Sequence, residues 1–249
     1  MGEGESGAEY RIGIEQAIAG CYRKAVELLD RHLAVAPDHA EAWIAKAHSL
    51  ARMGFFQEAV VCCERVIDRK PLSLDAWFTR GLVLYQVGRW TEAVACLDQA
   101  LRIDGTHAEA WYVKGNCHYY LGNYDDAIDC YDHVIAIDPQ YPKAWYNKGV
   151  TMADVRRFTE ALGCYEEALR INPGVGVLYT NRGVALAALG RFQDAIACFD
   201  RAIEINERDI TAWNNKAASL RRLGRDAEAE SCAEKVQEIT GGHLPPWMV

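Results

Sequence analysis

"EAWYVKGNCHYYLGNYDDAIDCYDHVIAIDP", Glu109 to Pro139, decides how this chain is read. Its apolar residues recur at helical spacing, Gly122 interrupts them, and Pro139 closes the stretch. The same pattern returns at a fixed interval on both sides. Trp43, Trp77, Trp111 and Trp145 stand 34 residues apart, with Tyr179 and Trp213 at the next two steps. Such a period signals a stacked array and has to be read before any local motif.

With repeats beginning at Ala40, Leu74, Ala108, Pro142, Gly176 and Ile210, a seventh extrapolates back to Ser6. The eighth position is Gly or Ala throughout, from Gly13 to Ala217. The twentieth is always Ala, from Ala25 to Ala229. Gly fills the fifteenth except at Arg156, and Pro37, Pro71, Pro139 and Pro173 share the thirty-second. Each unit therefore reads as two helices, the first closed by a left-handed C-cap and the second stopped by proline. The small residues at the eighth and twentieth positions are expected to face each other across the crossing. Aromatics at the fourth and seventeenth should fill the wedges beside it. One helix pair cannot bury its apolar face alone, but stacked pairs share a core. The expectation is one continuous all-α solenoid over residues 6–239, with residues 1–5 a flexible N-terminus and 240–249 a C-terminal tail.

These positions (Trp at the fourth, small at the eighth, Gly at the fifteenth, Ala at the twentieth, Tyr131, Tyr165 or Phe199 at the twenty-fourth, Pro at the thirty-second) resemble the tetratricopeptide repeat, or TPR. The resemblance covers nearly the whole chain. It implies antiparallel helix pairs in a right-handed superhelix whose concave face, built from first helices, takes a peptide or a partner segment. It implies no enzyme activity. The end repeats depart from the pattern, with Glu9 in place of Trp, and Asp226 and Ala233 in place of aromatics. One TPR subclass holds a chaperone tail's carboxylate with Lys, Asn, Asn, Lys and Arg. Here the matching positions are Tyr112, Asn116, Asn147, Val177 and Asn181, so that clamp is absent.

Composition narrows the partners. Half the residues are hydrophobic and the net charge is −8, which disfavours nucleic acid. There is no run long enough to span a membrane, and the acidic start lacks a signal peptide's basic and apolar regions. Nine cysteines without such a signal suggest free thiols and a cytoplasmic setting. Six of them, Cys62 to Cys232, share the twenty-third position. They are spaced too far apart for disulfides and read as small packing residues. The basic row at the seventh position, Lys46 to Lys216, reads as stems lying over neighbouring helices and pairing with acids, of which Glu58 to Glu228 recur at the nineteenth. No phosphate loop, zinc-protease motif or nucleophile elbow is present, so no catalytic, cofactor or metal site is expected.

If the fourth, eighth and eleventh positions are packed, the second, fifth, ninth, twelfth and thirteenth face the groove. There Phe78, Tyr85, Tyr112, Tyr119, Tyr120 and Tyr146 form an aromatic band that the repeat does not demand, with Asn116, Asn147 and Asn181 as amide partners for a peptide. The leading expectation is a protein–protein interaction scaffold. A self-assembling module using the apolar tail (Leu244, Trp247, Met248, Val249) is the alternative, and RNA binding a remote one.

Overall fold

The computed structural model describes residues 3–241, all helix and turn, with no strand among them. Fourteen helices follow in order: α1 (Glu3–Ile18), α2 (Tyr22–Val35), α3 (Ala40–Arg52), α4 (Phe56–Arg69), α5 (Leu74–Gln86), α6 (Trp90–Ile103), α7 (Ala108–Tyr120), α8 (Tyr124–Ile137), α9 (Pro142–Asp154), α10 (Phe158–Ile171), α11 (Gly176–Ala188), α12 (Phe192–Ile205), α13 (Ile210–Arg222) and α14 (Asp226–Thr240). From α3 onward the first helices start where the repeats were placed. Only α1 begins earlier, at Glu3 rather than Ser6. The tail beyond residue 241 lies outside the described residues, and with it every expectation attached to Leu244, Trp247, Met248 and Val249.

Three-residue turns within a repeat and four-residue turns between repeats make each consecutive pair antiparallel. The chain divides into two compact units, one through residue 130 and one from residue 131, with α8 running through the division. In the first, α3 packs on α4 and α5 on α6, while α2 meets α3 and α4 meets α5. The second repeats this with α9 on α10, α11 on α12 and α13 on α14.

The turns confirm the glycine reading and its exception. Gly20, Gly54, Gly88, Gly122, Gly190 and Gly224 all have φ between 73° and 84°, and Arg156 adopts the same left-handed conformation at φ 63°.

The packing corrects two expectations. The eighth position meets the twenty-fourth residue more closely than the twentieth. A Cβ on Gly81 would lie 2.9 Å from Leu97, one on Gly149 2.7 Å from Tyr165, and one on Gly183 2.5 Å from Phe199. At Gly81 the twentieth position contributes the Ala93 carbonyl, at 3.4 Å. The tryptophans of the fourth position are half-buried; the third position is the buried one. Ala42 packs against Leu29 and Leu33 of α2, and Ala76 against Val66 of α4. Each Trp lies across the repeat junction instead, its indole N–H donating to the carbonyl six residues back: Trp43 to Pro37 and Trp77 to Pro71 at 2.8 Å, Trp111 to Gly105 at 2.9 Å. Trp145 and Trp213 do the same in the second unit. A carbonyl serves whatever the side chain, so Gly105 and Glu207 replace proline without losing this contact.

Candidate functional site

A first helix buried against its own partner at the eighth position and against the preceding repeat at the third keeps only a strip open. Most side chains at its second, fifth, ninth, twelfth and thirteenth positions are exposed or half-buried, with Asn116 and Thr180 buried.

In the first unit the strip is aromatic. Phe78, Tyr85 and Tyr112 are half-buried against the core, and Tyr119 is half-buried beside the exposed Tyr120. Three of the rings touch in succession, Tyr85, Tyr120 and Tyr119. Tyr120 lies 6.1 Å from Tyr85, 5.6 Å from Tyr119 and stacks on Trp90 at 5.0 Å. Phe78 packs on His107 at 4.7 Å. Burial raises the Tyr85 phenol to about 12, and the neighbouring Tyr120 hydroxyl, to which it is hydrogen-bonded, adds to the shift. The Tyr85 phenol is therefore a neutral donor and acceptor at physiological pH. Asn116, at the ninth position, is buried at 7% exposure, so it forms floor rather than rim.

The second unit brings together a polar set. Asn181 donates through Nδ2 to the Tyr146 hydroxyl at 3.2 Å. Asn147 sits half-buried at the sixth position of its repeat, its backbone carbonyl accepting from Thr151 Oγ1 at 2.7 Å. The sixth position of the next two repeats holds Asn181 and then Asn215, the last not singled out from the sequence although its row was legible; its amide donates to the Thr211 carbonyl. Beside it, Asn214 Nδ2 is enclosed and has no hydrogen-bond partner among the described residues.

The charged rows are structural. Seventh-position bases pair with the twenty-fifth residue of the preceding repeat: Lys46 with Asp30, Arg80 with Glu64 at 2.8 Å, Lys114 with Asp98 at 2.7 Å, Lys148 with Asp132, Arg182 with Glu166 at 3.0 Å, and Lys216 with Asp200 at 2.6 Å. Several also cover the Trp three residues earlier, as Lys114 does at 5.0 Å from the Trp111 ring. Four of the nineteenth-position acids are held differently, by an arginine three residues before them: Arg89–Glu92, Arg157–Glu160, Arg191–Asp194 and Arg225–Glu228. This corrects the charge reading, which offered the nineteenth-position acids and had no role for the twenty-fifth position.

All nine cysteines are free thiols, and only Cys21 is exposed. Burial pushes Cys62 and Cys164 up to about 11, and Cys117 and Cys130 to about 12. A thiol must ionise to act as nucleophile or metal ligand, so this row packs and does not react. Among the described residues no group of three or more His, Cys, Asp or Glu could hold a metal ion. No helix of the described residues is long and apolar enough to cross a membrane.

Family models described as TPR repeat and tetratricopeptide repeat match residues 115–154, 142–175, 177–209 and 210–243 in succession. The chain is a tetratricopeptide-repeat protein. A further model, described as anaphase-promoting complex, cyclosome, subunit 3, matches residues 52–134. Among solved structures, the chain is similar to MamA, at 24% identity over 68% of this chain and 92% of that one, TM-score 0.64. It is also similar to YrrB, titled a TPR protein with an unusual peptide-binding site, at 20% identity over 73% and 93%, TM-score 0.64. The C-terminal part of a TPR repeat-containing protein from Cytophaga hutchinsonii matches at 17% identity over 94% and 96%, TM-score 0.79. At these identities the likeness is one of fold. No curated protein matches the chain.

Proposed function

We propose that this TPR protein binds a peptide or an extended segment of a partner protein along the open strip of its first helices. The observation that carries the reading is the group of aromatic side chains on α5 and α7. Phe78, Tyr85, Tyr112, Tyr119 and Tyr120 lie where repeat architecture asks for nothing, and they stay partly accessible. Large rigid amphipathic rings give contact area at low entropic cost and are the usual anchors of binding surfaces. In the second unit Asn147 and Asn181 add amides suited to a peptide backbone. YrrB, alike in fold, is described as having a peptide-binding site, which fits the same use here. Exposed acids at the second position, Glu41, Asp75 and Glu109, would repel phosphates and speak against the RNA alternative.

The test is a random-sequence peptide array probed with the purified protein and with Tyr112→Ala and Tyr120→Ala variants. Captured peptides should bind the variants about tenfold more weakly, an ordinary loss for an aromatic anchor, with circular dichroism unchanged. An empty array, or hits indifferent to both variants, would sink the reading.

A further inference from the structure

The aromatic strip leaves open what kind of peptide it would take. Three observations in the first unit bear on this.

An open hollow of about 430 Å³ lies at the junction of the second and third repeats, away from the tyrosines and lined by Ala40, Glu41, Ile44, Lys70, Leu72 and Asp75 among others. Its floor is apolar, with Leu72 81% exposed at its edge. Its charged groups are two carboxylates against the one ammonium of Lys70.

The carboxylates continue the row. Glu41, Asp75 and Glu109 occupy the second position of three successive repeats and are all exposed. The twenty-fifth-position acids from Asp30 to Asp200 are each held by a Lys or Arg, and so are Glu92, Glu160, Asp194 and Glu228 at the nineteenth. Glu41 meets only the His39 imidazole, at 3.3 Å, and neither Asp75 nor Glu109 makes an ion pair among the described residues. Both act on His48: burial lowers that imidazole's pKa and the two carboxylates oppose the shift. Glu41 and Asp75 share the hollow, and Asp75 and Glu109 share His48, so the three acids follow one another along the surface.

Each acid is followed three residues later, on the same helix face, by an apolar or aromatic side chain: Ile44, Phe78 and Tyr112. Packed helical repeats advance by about 10 Å, and an extended peptide advances about 3.3 Å per residue. One repeat therefore matches three residues of an extended ligand.

We infer that the occupant of this face is an extended, arginine-bearing segment of a partner protein, with a basic side chain at about every third residue. Each guanidinium would meet one second-position carboxylate, and its plane and methylene stem would lie on Ile44, Phe78 or Tyr112. Arginine suits this better than lysine because a planar fork both pairs with carboxylate and stacks on a ring. The aliphatic residues between would enter the hollow beside Leu72. This deepens the peptide-binding reading and rests on it.

The probes are fluorescein-labelled peptides of repeated Arg-Ser-Leu triplets, the same peptide with Gln or Glu for Arg, and a scrambled peptide of identical composition. Fluorescence anisotropy is read on the full chain and on an E41Q/D75N/E109Q variant, whose changes are exposed and leave the fold intact by circular dichroism. The Arg triplets should bind about tenfold tighter than the Gln triplets, lose that margin in the variant, and weaken as salt is added. The inference is overturned if the Gln or Glu peptide binds as well, if the scrambled peptide binds equally, if the variant keeps the preference, or if all four stay silent. The array separates the two readings. Hits of other composition with silent Arg triplets would remove this inference alone, whereas an empty array would remove both.

Discussion

A methyl group is the unit in which this core is specified. Where the twenty-fourth residue is large (Leu29, Leu97, Tyr165, Phe199), the eighth is glycine; where it is small (Cys63, Ala233), the eighth is Ala47 or Ala217. The distances explain the pairing, since a Cβ on Gly183 would lie 2.5 Å from the Phe199 ring. Gly183→Ala gains about 1 kcal/mol of helix propensity, but forcing the ring aside costs about 1–3 kcal/mol. Net destabilisation by about 1 kcal/mol is expected in urea unfolding, and a stabilised variant would contradict the packing described. Arg156 carries the opposite opportunity. Its left-handed φ of 63° is a conformation that costs a side chain about 1–2 kcal/mol. Glycine there would relieve that cost, partly offset by about 0.4–1 kcal/mol of extra freedom in the unfolded chain. Arg156→Gly should therefore raise the melting temperature slightly.

At the scale of the helix, the second element of every repeat after the first carries one thiol at its twenty-third position, sealed by the first helix. Cys62, Cys96, Cys130, Cys164, Cys198 and Cys232 are all buried, whereas Cys21, at the N-cap of α2, is exposed. Titration with a thiol reagent at pH 8 should find one fast-reacting group in the native protein and nine after denaturation. Several fast thiols in the native state would mean that the second helices are not packed as described. The indole ladder belongs to this scale too. Trp111→Phe keeps most of the apolar area but leaves the Gly105 carbonyl without its 2.9 Å donor, at a cost of about 1 kcal/mol.

Across the whole molecule the buried acids act together. Burial raises Cys62 from 9.0 to about 11, Cys117 and Cys130 from 9.0 to about 12, and Tyr85 from 10.0 to about 12. Each is neutral when protonated, and folding holds its proton more tightly. The stability so linked is complete below the unfolded values, near 9 for thiols and 10 for the phenol, and is lost as pH rises through the folded ones. Melting temperature should be flat from pH 7 to about 8.5 and fall steeply between about pH 9 and 11. A flat profile through that range would show the thiols to be solvated. The exposed ion pairs do not produce this effect, because each contributes little and is screened by salt.

Periodicity alone determined the helix order, the turn positions and the boundaries of the repeats. A 34-residue pattern repeated without insertion leaves one register for thirteen- and fourteen-residue helices with three- and four-residue turns. The positions of Phe78, Tyr85, Tyr112, Asn116, Tyr119, Tyr120, Tyr146, Asn147 and Asn181 were legible too, because the repeat does not require them. Their depth was not. Sequence spacing places Asn116 and Asn181 on first helices alike, yet one is buried floor and the other half-exposed beside the Tyr146 hydroxyl. Which acid holds which base was also undecided. The nineteenth and twenty-fifth positions both offer carboxylates, and only the crossing geometry puts Asp98 beside Lys114 and leaves Glu92 to Arg89. A repeat fixes which residues share a face of their own helix; how deep each lies and what it touches depends on the neighbouring repeat, and that only the tertiary structure decides.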